Sequence, residues 1–141
     1  FEERRPAAVV THAYEGGHPD HDAVAFAVHA VARPLGIEIV EAPLYRLGAD
    51  GWDLQSFPDD DGIAVPLAPE ARELKRRMLA AHASQAATLS GFGTERELFR
   101  AAPTHDFETL PNGGRLLYER HPWGLTGERW RALVRAARAQ R

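Results

Sequence analysis

The first forty residues constrain this chain most. After Pro6, the run Ala7-Ala8-Val9-Val10-Thr11-His12 is short and apolar, and it reads as a buried strand. A glycine-rich turn follows, Tyr14-Glu15-Gly16-Gly17, and then His18-Pro19-Asp20-His21-Asp22 opens a helix. Pro19 suits the first helical position, and Asp20 and Asp22 favour the positive end of the helix. From Ala23 to Ala32 the sequence is almost wholly apolar, which predicts a helix buried nearly all round. Pro34 and Gly36 end it, and Ile37-Glu38-Ile39-Val40-Glu41 is the next strand. Strand, helix, strand is a βαβ unit, which argues for a parallel sheet with helices on its faces.

Further short strands are expected between Leu44 and Leu54 and from Ile63 to Leu67, separated by the acidic turn Asp59-Asp60-Asp61-Gly62. Pro69 opens a second helix to about Leu89, with Leu74, Met78, Ala81 and Gln85 at helical spacing. Gly91-Phe92-Gly93 stops it, and Thr94 is placed to cap a short helix through Arg100. Arg115-Leu116-Leu117-Tyr118-Glu119 reads as a late strand. A closing helix starts after Thr126 and runs towards Gln140, with Trp130, Leu133, Val134 and Ala137 on one face. The expected architecture is α/β, a Rossmann-like three-layer sandwich with a mainly parallel sheet.

Composition excludes several chemistries. With no cysteine, disulfides, thiolate catalysis and cysteine metal sites are out, so any metal is held by His, Asp or Glu. The formal charge of -3, from 17 basic and 20 acidic residues, gives no general attraction to nucleic acid or to anionic membranes. Lys75 is the only lysine, a bias towards Arg that reads as codon usage. There is no signal peptide and no apolar run long enough to span a bilayer, and the expected location is the cytoplasm. The chain opens Phe1-Glu2-Glu3-Arg4-Arg5-Pro6 without an initiator Met, so its 141 residues are expected to be a piece of something longer.

His18 and His21 stand three apart, one just before a helix and one in its first turn. Both side chains can point to the mouth at the strand's carboxyl end, where open α/β sheets place ligands. The positive field of the helix start disfavours an imidazolium, and a metal ligand must be neutral. Gly16 and Gly17 would let the backbone approach a substrate or ion, and Asp20 is placed to orient an imidazole. Spacing alone decides nothing, because a glycine turn and a helix-starting proline account for most of the pattern structurally.

The wider string Thr11-His12-Ala13-Tyr14-Glu15-Gly16-Gly17-His18-Pro19-Asp20-His21-Asp22-Ala23-Val24 resembles the second signature of the PIG-L/LmbE-like zinc-dependent N-deacetylases. Lys75-Arg76-Arg77-Met78-Leu79-Ala80-Ala81-His82-Ala83-Ser84-Gln85 is similar to that family's Lys, then Ala-His-x-Ser/Thr-Gln, on a helix in the same relative place. The likeness runs over roughly residues 6 to 92. It implies that residues 1–141 are the C-terminal part of a single deacetylase-like domain whose first strands lie upstream. It implies zinc (Zn2+) bound by His21 together with one His and one Asp of an N-terminal His-Pro-Asp-Asp loop, an Asp of that loop being the general base. His18 would stabilise the oxyanion, Asp20 would hold an imidazole, and Tyr14, with Gly16 and Gly17, would lie against the substrate. The implied substrate is a small N-acetylated amino sugar or related glycoside. The implied partner is the missing N-terminal segment, and self-association stays open.

No His-Pro-Asp-Asp stands in the chain, so this piece alone is expected to be inactive. His12, Asp22, His105 and Asp106 are candidate substitutes that no spacing selects. Two other readings stay open: a non-catalytic α/β binding module, and a different metal hydrolase in which His18 and His21 join carboxylates of this chain. Lys75, His82 and Gln85 either line the site or hold their helix to the sheet, the second being preferred. His29 reads as a satisfied core histidine, while His105 and His121 sit in loops without an evident partner. Trp52, Trp123 and Trp130 read as core or loop anchors before sugar platforms, and Asp59-Asp60-Asp61 as a solvated turn.

Overall fold

The computed structural model describes residues 3–4, 6–59 and 61–140. Phe1, Glu2 and Arg5 of the opening segment, and Asp60 of the acidic turn, lie outside them. The expected βαβ unit is present: β1 (Ala8–His12), α1 (Pro19–Ala32) and β2 (Glu38–Ala42). β1 and β2 are parallel, pairing Ala8 with Glu38 through to His12 with Ala42. The short strands β3 (Tyr45–Leu47) and β4 (Trp52–Leu54) form a separate antiparallel hairpin.

The sheet departs from the mainly parallel arrangement. Its order is β1-β2-β6-β5, where β5 spans Ile63–Pro66 and β6 spans Arg96–Ala101. β6 runs antiparallel to both β2 and β5, so β1–β2 is the parallel pair of a mixed sheet. The chain is therefore an α/β protein with a mixed sheet and helices.

β6 replaces the short helix expected after Thr94. Glu95, Arg96, Glu97 and Leu98 favour a helix, but the strand fills the place between β2 and β5, with Val40 opposite Ala101 and Ile63 opposite Phe99. Tertiary pairing outweighs a propensity of a few tenths of a kcal/mol per residue. The late strand expected at 115–119 is instead a 3-10 turn, Leu117–Arg120. Its Leu117 N–H is taken by the carbonyl of Gly16 (2.8 Å), which ties this segment to the glycine turn.

α1 buries Asp22, Ala25, His29 and Ala32, one stripe rather than the whole circumference, and leaves Val24 and Val31 exposed. The second expected helix is broken at His82 into α2 (Pro69–Ala81), a 3-10 turn Ala83–Gln85 and the short α3 (Ala86–Leu89). Leu74 and Met78 of α2 are exposed. The closing helix is α4 (Gly127–Ala139), capped by the Thr126 side chain, which accepts from Arg129 N–H at 3.2 Å. Trp130 and Val134 of α4 pack with Tyr14, Ala25 and Phe107 in the principal core cluster, and Leu133 stays exposed. That packing pins α1 to the end of the chain and so supports the segment that carries the histidines. No helix among the described residues is long and apolar enough to cross a membrane.

Candidate functional site

The turn leading into α1 is held by two buried carboxylates. Asp22 Oδ1 accepts from the N–H groups of Glu15 and Gly16, each at 3.2 Å. Glu15 Oε1 accepts from Leu44 N–H (2.8 Å) and Tyr45 N–H (3.1 Å). Burial raises the Glu15 carboxyl to about 8, although its backbone hydrogen bonds pull the other way. Burial likewise raises Asp22 to about 7. Asp22 thus braces the turn through Oδ1, while its Oδ2 is buried without a hydrogen-bond partner among the described residues. Glu15 was not singled out from the sequence, because a glutamate in a turn ordinarily faces water.

The two glycines serve the same bracing. A Cβ on Gly17 would lie 1.9 Å from the carbonyl oxygen of Tyr45, and Gly16 has φ +74 with a Cβ position 2.9 Å from Leu116. What they admit at close range is this chain's own backbone and side chains. Tyr14 is buried, and its hydroxyl donates towards Phe107 O and Thr109 O, each at 3.3 Å. The hydroxyl is committed within the core.

His18 is the N-cap of α1. Its Nδ1 accepts from Asp20 N–H at 3.1 Å, so a neutral His18 carries its proton on Nε2. The Asp20 carboxylate is 86% exposed and stands 3.8 Å from that nitrogen. The backbone of Asp20, more than its carboxylate, orients the ring. His21 is half-buried, stacked on His12 with centroids 4.5 Å apart, tilted against His18 at 5.1 Å and edge-on to Tyr45 at 5.4 Å. Its Nδ1 is buried and has no hydrogen-bond partner among the described residues. Burial, reinforced by His12 and His18, holds its pKa down at about 4, so the ring is neutral near pH 7. The structure thus brings His12, His18 and His21 together at the carboxyl end of β1.

Aromatic rings flank this cluster. Trp123, 46% exposed, lies 4.8 Å from His18 and stacks on His121 at 4.4 Å. Trp52, 42% exposed, stacks on Tyr45 at 5.1 Å. Trp130 is the core residue of the three. A cavity of about 270 Å³ opens beside His21 and is lined also by Leu44, Tyr45, His82, Gln85 and Phe92. His82 and Gln85 therefore face the cluster, while Lys75 pairs with Glu97 at 2.7 Å and fastens α2 to β6.

A second group lies deeper. Among the described residues, His29, Glu41 and His105 bring one ligand atom each within 4.8 Å of one another and are placed to hold a metal ion. Glu41 is fully buried, and His29, expected as a satisfied core histidine, is buried too, its Nε2 meeting Glu41 Oε1 at 3.5 Å without a well-formed hydrogen bond. Burial alone would raise the Glu41 carboxyl, but His105, His29 and Arg100 outweigh it and hold it at about 2. Asp106, a further candidate, is exposed and accepts from Thr109 Oγ1 at 2.9 Å and Glu108 N–H at 3.1 Å.

No family model, curated protein or solved structure matches the chain. Fold and site together define an α/β protein with a histidine cluster at a strand end and a buried His–Glu–His group.

Proposed function

We propose that the chain is the C-terminal part of a zinc-dependent N-deacetylase that hydrolyses the acetamide of an amino sugar or related glycoside to acetate and a free amine. The observation that carries this reading is the buried, unpartnered Nδ1 of a neutral His21, set beside His12 and His18 at the end of a parallel strand. The resemblance of residues 11–24 to the family signature supplies the substrate class. A Rossmann-like three-layer arrangement belongs to the same reading, its further strands continuing the sheet from β1, which is the edge strand among the described residues.

Zinc fits these residues in part. His21 offers a neutral nitrogen ready to bind, but His12, His18 and His21 do not converge as a set of three ligands. The remaining ligands and the general base come, on this reading, from a His-Pro-Asp-Asp segment upstream. Bound zinc supplies a water of lowered pKa and polarisation of the carbonyl. His18 contributes the Nε2–H left free by its cap, a donor that can be aimed at the oxyanion. Trp52 and Trp123, exposed and held by stacking on Tyr45 and His121, give the apolar faces on which a sugar ring rests. Tyr14 and the carboxylate of Asp20 have no part in this scheme.

The test uses the chain extended upstream through that segment, with an N-acetylglucosamine substrate. His21→Ala should lose zinc, and His18→Ala should keep zinc and lose turnover. Undiminished hydrolysis by His18→Ala would refute the role given to it, and no hydrolysis by the zinc-loaded parent would favour a binding module.

A further inference from the structure

We propose that His29, Glu41 and His105 form a second site for a divalent transition-metal ion, separate from the His18–His21 cluster and with one position open to a cavity. His21 and His29 are eight residues apart on α1, roughly 12 Å along the helix at 1.5 Å per residue. The two groups therefore do not share an ion.

Geometry carries the argument. The Nε2 atoms of His29 and His105 both point at Glu41 Oε1, at 3.5 and 2.5 Å. Bonds of about 2.0–2.1 Å in a tetrahedral set put neighbouring ligand atoms roughly 3.3 Å apart. The His29 separation already suits such a set. His105 must withdraw by less than about 1 Å, and it lies outside any helix or strand, in the segment after β6. The other carboxylate oxygen of Glu41 accepts from Arg100 Nε at 3.1 Å, which fixes the carboxylate and leaves Oε1 to the two imidazoles.

His29 adds an independent observation. It is 6% exposed, and its Nε2 meets only Glu41 Oε1, at 3.5 Å, too long for a well-formed hydrogen bond, so this buried nitrogen is poorly satisfied. A metal ion at the convergence point of the two imidazoles and Oε1 satisfies it. Access exists as well. A cavity of about 350 Å³ is lined by His29 and His105 with Phe26, Arg33 and Arg138, so the ion has an entry path. The cavity leaves room for water as the exchangeable fourth ligand. Two imidazoles and one carboxylate select zinc, iron(II) or cobalt(II) over calcium and magnesium, which take oxygen ligands.

The probe is Co2+ alone, added to the chelator-stripped 141-residue chain, with visible absorption reporting coordination and metal content measured after gel filtration. One retained equivalent with the strong visible bands of a four- or five-coordinate ion is expected. His105→Ala, at a position outside any helix or strand, should weaken binding by more than about 100-fold, the most that loss of an outer partner alone costs. His29→Gln should do the same, and His21→Ala should leave cobalt bound. The proposal is overturned if no cobalt is retained, if His105→Ala retains it, or if His21→Ala releases it. None of these readouts involves hydrolysis, so the deacetylase reading can fail without this one and the reverse.

Discussion

The carboxylate of Glu15 accepts hydrogen bonds from the N–H groups of both Leu44 and Tyr45, at 2.8 and 3.1 Å, and so clamps the turn before His18 to the turn between β2 and β3. Its carboxyl is raised by burial to about 8, from an unfolded value of about 4.3. A group raised in the folded state lends stability that is complete below the unfolded pKa and is lost as pH climbs through the folded one. Asp22, raised to about 7, acts in the same direction. His21, lowered to about 4, acts oppositely and only below about pH 6.5. Stability should therefore fall as pH rises from 6.5 to 8, by up to about 1.4 kcal/mol per pH unit for each proton released. Urea unfolding at stepped pH measures it. Glu15→Gln, which keeps both acceptor contacts, should flatten the slope, and an unchanged slope would remove Glu15 as its cause.

Gly17 is required by packing rather than by a ligand. A Cβ there would fall 1.9 Å from the Tyr45 carbonyl, and that oxygen belongs to the backbone and cannot swing aside. Gly17→Ala should cost about 1–3 kcal/mol, the range for overpacking, read as a lower urea midpoint at unchanged slope. A neutral result would mean that the turn relaxes and that the glycine serves some other purpose.

The three tryptophans should separate by role. Trp130, buried against Tyr14 and Phe107 with its Nε1–H donating to Phe107 O at 3.0 Å, anchors α4. Trp130→Ala should cost about 3–5 kcal/mol. Trp52→Ala and Trp123→Ala should each change stability little. Each should weaken saccharide binding by roughly 2–10-fold, the worth of about 0.5–1.5 kcal/mol for an aromatic contact. Titrating N-acetylglucosamine while following the indole signals distinguishes them, and equal affinities in both variants and the parent would dismiss the platform.

How much of this could be read from the residues alone follows from where the determinants lie. The β1–α1–β2 unit was legible because its signals are local: an apolar run, two glycines, Pro19 at the helix start and Pro34 beyond its end. β6 was not, because Thr94 to Leu98 carries helix-type signals and only pairing with β2 and β5 overrides them. Legibility of the histidine cluster was partial. His18 and His21 announce themselves by spacing, whereas His12 joins them because β1 ends where α1 begins. The His29–Glu41–His105 group could not be seen, since its members are separated by 12 and 64 residues and meet only when β6 docks beside β2 and delivers His105. Arg100, beside Glu41 and 4.1 Å over the Phe57 ring, belongs to the same assembly.

His18 has two duties that a single substitution can part. Its Nδ1 caps α1 by accepting from Asp20 N–H, and its Nε2–H is the donor that the proposed hydrolysis requires. Asn is a good N-cap residue, with a side-chain oxygen that takes the same role as Nδ1, but it places no donor where the outer edge of the imidazole stood. In the chain extended upstream, His18→Asn should keep its melting temperature and its zinc, while kcat falls by about 100–1,000-fold, the loss that follows removal of one oxyanion donor. His18→Ala should lose the cap as well, at about 1 kcal/mol. Thermal melts, zinc content and kcat on the two variants check it together. If His18→Asn turned over substrate at the parent rate, the cap would be the whole function of this histidine, and the oxyanion donor would have to be sought elsewhere in the cluster, beginning with His12.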